Sequence, residues 1–388
     1  MKQLAKMTER LFGQPMFKLL GTAQQMEREG QRILHFEIGD PNFDPPRVAV
    51  EAAIRALESG HNHYTNSMGL QELRLAIAEY TQKDLGFLPD LQQVLVCPAN
   101  AIIDFCVRCL ANPGDEVLVP DPGFATYFSS LNYNNIVPVS VPLREINNFQ
   151  MKPEDVRQRI TDKTKLIILN SPQNPTGSVM DEQDILEIVR IAEEYDLFIL
   201  SDEVYSKLIY GRTHYSPSVV DRCRERTILL KSFSKTYSMP GWRVGYAVGP
   251  VQIIEKMGLL LQTILSCIPA FVQIGAMAAL GDLHFAATCA DELRARRDLF
   301  VDGLNRIKGV HCVKPDGAFY LFPRIDHVGM TGFEYSEKIL IEEGLCMLPG
   351  SNFGDYGGGY MRLSYANITL PMIAEALEKM NRFHNRHF

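Results

Sequence analysis

At 388 residues the chain is long for one ordinary domain and long enough to bury a large core. Apolar residues make up 46% and charged residues 22%, the balance of a folded globular protein, which excludes a disordered or collagen-like chain. Lysine and arginine total 39 against 46 aspartates and glutamates, a net charge of −7 that advertises no nucleic-acid partner.

In chain order, the opening stretch MKQLAKMTERLFGQPMFKLL carries Lys2, Lys6, Arg10 and Lys18 together with Glu9. It lacks a compact apolar region ahead of a small-residue cleavage site, so it reads as an N-terminal arm and not as a targeting peptide. The arm leads into FEIGDPNFDPP, where Gly39, Pro41, Pro45 and Pro46 impose an extended, irregular path. His61 and His63 fall in a polar stretch and read as surface residues. Cys106 and Cys109 form a C-x-x-C pair inside AIIDFCVRCLA, an apolar run that reads as a buried helix; no second pair completes a metal site. The remaining cysteines, at 97, 223, 267, 289, 312 and 346, are scattered as free thiols are in a reducing, cytoplasmic compartment.

Between 94 and 248, short β-branched runs alternate with longer amphipathic segments, the pattern of a mostly parallel sheet covered by helices. Seven strands are predicted: VLVC (94–97), EVLVP (116–120), IVPVSV (136–141), KLIIL (165–169), LFILS (197–201), TILLK (227–231) and VGYAV (244–248). The segment DEQDILEIVRIAEEYD places Ile185, Ile188, Val189, Ala192 and Tyr195 on one helical stripe and reads as a crossover helix. No apolar run approaches the roughly 18 residues of a membrane span; the stretch 257–270 is broken by Gln262, Thr263 and Ser266. After about residue 280 a long charged helix, DELRARRDLFVDGL, precedes GVHCVKP, GAFYLFP and YMRLSYA, which read as an antiparallel sheet flanked by helices. The glycine cluster GDYGGGY lacks the spacing and preceding strand of a dinucleotide fingerprint and reads as a flexible loop. The expected architecture is α/β: 1–44 as arm and part of a small domain, 45–280 as a large domain, and 281–388 as a small C-terminal α+β domain.

Open α/β sheets bind ligands in loops beyond the C-terminal ends of their parallel strands. Three such loops hold unusual polar groups. KLIIL is followed by NSPQNPTG, in which two prolines and a glycine fix the backbone while Asn170 and Asn174 stay free to hydrogen-bond. LFILS is followed by Asp202-Glu203-Val204-Tyr205, a carboxylate at a strand end with a phenol three residues on. TILLK is followed by Ser232-Phe233-Ser234-Lys235, with Arg243 eight positions beyond the lysine. A lysine that forms an imine must spend time neutral, which a desolvated, cation-flanked site promotes. Hydroxyls and an arginine beside it suit a phosphate dianion. Pyridoxal phosphate is the cofactor that needs such a lysine, a phosphate cradle and a carboxylate for its ring nitrogen at once.

With these motifs in place, the sequence resembles the fold-type I pyridoxal-phosphate aminotransferases of class I/II and is similar to their aspartate aminotransferase branch. The resemblance runs from the arm to MRLSYA and is most specific at SFSKTYSMPGWRVGY. It implies that Lys235 is the Schiff-base lysine and proton shuttle, that Asp202 pairs with the pyridine nitrogen, and that Asn174 and Tyr205 contact the ring hydroxyl. It further implies that Ser232, Ser234 and Arg243 hold the phosphate, that Phe124 in Asp121-Pro122-Gly123-Phe124 stacks on the ring, and that Tyr64 reaches the phosphate of a neighbouring subunit. Arg362 is implied to grip the substrate α-carboxylate, with the Gly39 backbone and Asn174 close to the substrate. The implied protein is a homodimer with shared active sites that moves an amino group between an L-amino acid and a 2-oxo acid by a ping-pong route. No membrane or nucleic-acid partner and no metal are implied.

The sequence departs from that pattern where a glycine-rich turn usually receives the phosphate. Here it reads Cys97-Pro98-Ala99-Asn100-Ala101, and the amides of Ala99 and Asn100 at a helix N-terminus remain able to bind an anion. Aspartate-type bacterial members often carry lysine at the Asn100 position, and its absence removes a cation suited to an acidic side chain. Two readings stay open beside transamination: another reaction of the same cofactor, such as β-elimination or racemisation, and a cofactor-binding regulator without turnover.

Overall fold

The computed structural model describes residues 4–11, 15–282, 284–325 and 329–388. Lys2 of the expected arm lies outside them. The arm is more regular than its sequence announced: a 3-10 turn Lys6–Arg10 and a helix Pro15–Arg28 precede β1 (Leu34–His35).

All seven predicted central strands form: β2 (Val94–Val96), β3 (Glu116–Asp121), β4 (Val137–Pro142), β5 (Thr164–Asn170), β6 (Phe198–Asp202), β7 (Thr227–Ser232) and β8 (Gly245–Val248). They build one sheet in the order β2-β8-β7-β6-β5-β3-β4. Only β8 runs antiparallel to its neighbours, so the other six end on the same edge. Leu166, Ile167, Ile168 and Leu169 of β5 are all buried because helices cover both sheet faces, which is why the strand reads as an unbroken apolar run.

The crossover helix Glu182–Glu194 begins after Asp181 with Glu182 and Asp184 in its first turn, where acidic groups complement the helix dipole. Ile185, Ile188, Val189 and Ala192 are buried as the period predicted, and Ile191 joins them. Tyr195 does not: the helix stops one residue earlier, and the Tyr195 ring turns outward to lie 5.8 Å from the Arg157 guanidinium. Among the described residues no single helix is long and apolar enough to cross a bilayer.

A second core surrounds the helices Phe285–Leu304, Gly332–Glu343 and Leu370–His387. It backs a three-stranded antiparallel sheet of β9 (Tyr320–Leu321), β11 (Leu348–Pro349) and β12 (Met361–Ser364), in the order β11-β12-β9. GVHCVKP, expected as a strand of this sheet, supplies only the isolated bridge His311 to Arg324. β10 (Leu345–Cys346) instead pairs in parallel with β1. Phe36 packs its ring 5.5 Å from that of Phe300, and Arg296 donates to Asn42 Oδ1, to Tyr365 O and to Ala366 O. These contacts tie the stretch 36–42 to the second core and bring residues 38–40 to the edge of the large sheet.

GDYGGGY is not the flexible loop expected. The 3-10 turns Gly350–Phe353 and Asp355–Gly357 order it, and the buried Asp121 carboxylate accepts from the amides of Asp355 and Tyr356 at 3.1 and 3.0 Å. Phe300 is fully buried where arm and second core meet, so Phe300→Ala should cost about 3–5 kcal/mol in a denaturant melt. A loss under about 1 kcal/mol would show that this contact does not hold the arm.

Candidate active site

Five of the six strands that end together, β2, β3, β5, β6 and β7, deliver their loops to one cavity of about 360 Å³, closed on the far side by Ile38, Gly39, Asp40, Tyr320 and Arg362. β7 ends at Ser232, whose hydroxyl caps the four-residue helix Phe233–Thr236 by accepting from the Ser234 amide at 3.1 Å. That short turn aims Lys235 back over the sheet edge, where its Nζ donates to Gly39 O at 2.6 Å. Burial pushes Lys235 down to about 8; Asp40 opposes this, while Arg362 and Arg243 reinforce it.

Asp202 ends β6 and is buried. Its Oδ2 accepts from Tyr127 Oη at 2.5 Å and its Oδ1 from the Val204 amide at 3.3 Å. Burial raises the carboxyl to about 6 against the lowering effect of those two donors. Among the described residues no cation forms an ion pair with it. Its neighbour Glu203 behaves oppositely: burial would raise it, but Lys231 and His214 hold it at about 2. The contrast matters because Glu203 is committed inside the fold, whereas Asp202 lines the cavity.

Arg362, on β12, is buried between the rings of Tyr320 and Phe353, whose centroids lie 4.7 and 4.8 Å from its guanidinium carbon. It donates to Glu37 O and, at 3.4 Å, to Asn174 Oδ1, while its Nε is buried with no hydrogen-bond partner. Asn174 is in turn fixed by its own amide, which donates to Asn170 Oδ1 at 2.9 Å. Tyr205 and Tyr320 share a hydrogen bond between their hydroxyls at 2.9 Å. A Cβ on Gly39 would sit 2.0 Å from Tyr320 Oη, so only glycine lets the arm pass this close.

The cavity thus gathers Lys235, Asp202, Tyr205, Asn174, Phe124, Ala99, Asn100, Ser232, Ser234, Arg243, Arg362 and Gly39, every site residue expected from the sequence but one. Ala99 opens the helix Ala99–Leu110, so the amides of Ala99 and Asn100 lie in its first turn, where a helix has unpaired donors. The exception is Tyr64, which is 87% exposed and outside the cavity of its own chain. Sequence reasoning missed Tyr127, Tyr320 and Asp40. For Tyr127 a signal existed: it follows Phe124 by three residues at the start of the helix Ala125–Tyr133, a spacing that puts both on one face.

The family model for aminotransferase class I and II matches residues 31–380. The chain belongs to that family. It is 39% identical over 357 residues to an aspartate aminotransferase of Pyrococcus abyssi, covering 90% of this chain and 91% of that one. It is 37% identical over 372 residues to aromatic-amino-acid aminotransferase 2 of Thermococcus litoralis, covering 94% of each. The solved alanine aminotransferase of Pyrococcus furiosus superposes with a TM-score of 0.94 at 30% identity, over 99% of this chain and 100% of that one. Class I and II aminotransferases use pyridoxal phosphate, and the chain is a pyridoxal-phosphate-dependent transaminase. The cavity of this aminotransferase fits the cofactor on its own evidence, since Asp202 is a buried carboxylate without a cation partner among the described residues and Lys235 is a lysine brought down to about 8.

That fit has a thermodynamic consequence for the cofactor-free protein. A carboxyl raised on folding from its ordinary 3.8 to about 6 stabilises the fold only while protonated, and that stability is lost as pH rises through about 6. The loss is roughly 3 kcal/mol by pH 8. Cofactor-free Asp202→Asn should therefore melt above the cofactor-free parent at pH 8, with the gap closing toward pH 4. A parent as stable as Asp202→Asn at pH 8 would contradict a buried, unpaired charge.

Proposed function

We propose that this aminotransferase acts as a cytoplasmic homodimer whose residues divide the reaction as follows. The carrying observation is the pair of opposite displacements in one cavity: Lys235 brought down to about 8 and Asp202 brought up to about 6.

Bound pyridoxal phosphate supplies a carbonyl that accepts the amino group and a protonated ring that takes up the electrons freed when the Cα proton leaves. Asp202 holds the proton on the ring nitrogen, because a buried carboxylate without a cation gains most from a positive neighbour. Tyr205 Oη and Asn174 Nδ2 would bond the ring hydroxyl; Asn174 has its Oδ1 toward Arg362, which leaves the amide nitrogen as donor. The Ala99 and Asn100 amides, the Ser232 and Ser234 hydroxyls and Arg243 would hold the phosphate, and Phe124 would cover the ring face. Arg362 receives the substrate α-carboxylate, with its unpartnered Nε available for a second bond. Lys235 Nζ, brought down to about 8 and so partly neutral at working pH, takes the Cα proton as general base and returns it as general acid. One 2-oxo acid leaves before the second enters, a ping-pong course. Gly39 and Asn174 line the substrate end.

The exposure of Tyr64 supports the dimer, in which this ring would reach the partner's phosphate. The core around Phe300, which Leu34 and Phe36 of the arm join, supports a division into an arm that is part of the small domain (1–44), a large cofactor-binding domain (45–280) and a small domain (281–388). Free thiols support a reducing cytoplasm. The three relatives are named for aspartate, aromatic and alanine substrates, so their names do not choose among donors. All three are aminotransferases, which favours transfer over elimination, racemisation or regulation. Of the cations lining the cavity, Lys235, Arg243 and Arg362 each have a proposed role, and Asn100 stands where aspartate-type members often carry lysine. A neutral donor side chain is therefore proposed over an acidic one.

Lys235→Ala should lower the rate of amino transfer at least about 100-fold while the protein still binds pyridoxal phosphate. Retained turnover would overturn the assignment. In the parent, kcat/KM for alanine or phenylalanine should exceed that for aspartate at least about tenfold; the reverse order would refute the neutral-donor reading. Sedimentation should give a dimer, and a monomer with full activity would refute the shared site.

A further inference from the structure

Tyr127 belongs to no role assigned so far, yet it touches two groups that have one. It is fully buried in the first turn of the helix Ala125–Tyr133. Its hydroxyl donates to Asp202 Oδ2 at 2.5 Å, and no other side-chain donor to that carboxylate exists among the described residues. Its ring meets Phe124 edge-on, with centroids 5.6 Å apart and planes at 89°. The helix is itself anchored: Ser130, Tyr133 and Asn134 all donate to Asp104 Oδ1 on the helix Ala99–Leu110. Tyr127 is thus held in place independently of Asp202.

We propose that Tyr127 is a positioning residue that holds the Asp202 carboxylate ionised and aimed into the cavity while bracing the Phe124 ring. This rests on Asp202 being the partner of the ring nitrogen. A hydrogen bond to a charged acceptor favours the charged form, and without the Tyr127 hydroxyl a buried oxygen of Asp202 is left unsatisfied. The titratable groups facing Asp202 are Tyr127 from its own helix, Glu203 from the same strand, whose negative charge works against ionisation, and Tyr205 from the turn beyond. Only Tyr127 among them donates to the carboxylate. Glu203 makes that donor necessary, because its own charge is stabilised by Lys231 and His214 and persists across the working range.

The test is equilibrium binding of pyridoxal phosphate to the cofactor-free protein between pH 6 and 9, for the parent, Tyr127→Phe, Asp202→Asn and the double variant. Tyr127→Phe keeps the ring against Phe124 and removes only the hydroxyl. Its affinity should match the parent near pH 9 and fall about fivefold below it at pH 6, the acid limb having moved up by about one pH unit. In the Asp202→Asn background the same change should produce no such pH-dependent loss, because no carboxylate remains to be held ionised. A Tyr127→Phe curve that superimposes on the parent while Asp202→Asn binds weakly would overturn the inference and leave the role of Asp202 standing. An equal loss at every pH in both backgrounds would also overturn it, by showing a merely structural part. Unchanged affinity in Asp202→Asn would overturn the role of Asp202 and this inference with it.

Discussion

The rest of the structure depends on one buried carboxylate. Asp202 is held at the end of a central strand, in contact with a tyrosine hydroxyl and a backbone amide but paired with no cation among the described residues. A fold that buried such a group for structural reasons would give it a counter-ion, as this one does for Glu203 one residue later. The parallel sheet makes the arrangement affordable. Six strands that finish on one edge bring Asn170, Asp202 and Ser232 to that edge, and the loops beyond them supply Lys235 and Arg243 without further backbone design. The burial that raises Asp202 also lowers Lys235, so one desolvated cavity disfavours the charged form of both.

The other half of the cavity comes from the second core. β1 pairs with β10, Phe36 packs on Phe300, and Arg296 reaches Asn42, so the extended stretch that follows is carried across to the sheet edge. There its carbonyls meet the two cations that face substrate in the proposed reaction: Glu37 O accepts from Arg362 and Gly39 O from Lys235. The large sheet presents the proposed cofactor contacts, the second core presents the proposed carboxylate grip, and the cavity lies at their seam.

Much of this was legible in the sequence, for identifiable reasons. Strands buried on both faces, such as β5, must be continuously apolar, so their positions were readable from composition alone. SFSKTYSMPGWRVGY concentrates its functional groups within one loop, so local spacing sufficed. What was lost depended on partners distant in the chain. Tyr320 went unremarked within GAFYLFP because its partner Tyr205 lies 115 residues away. GDYGGGY read as flexible because the carboxylate that orders it, Asp121, lies far upstream. Tyr195 was misplaced by a helix that ends one residue sooner than its periodicity. Tyr64 is exposed and lies outside the cavity lining.

The most direct measurement of the central claim is the absorbance spectrum of the purified, cofactor-loaded protein as single amino acids and then 2-oxo acids are added. The account predicts a visible band that moves to the near ultraviolet with a neutral amino acid and returns when a 2-oxo acid is supplied, each half occurring without the other substrate. A band that never moves, or one that moves while free ammonia accumulates, would contradict amino-group transfer by this cavity.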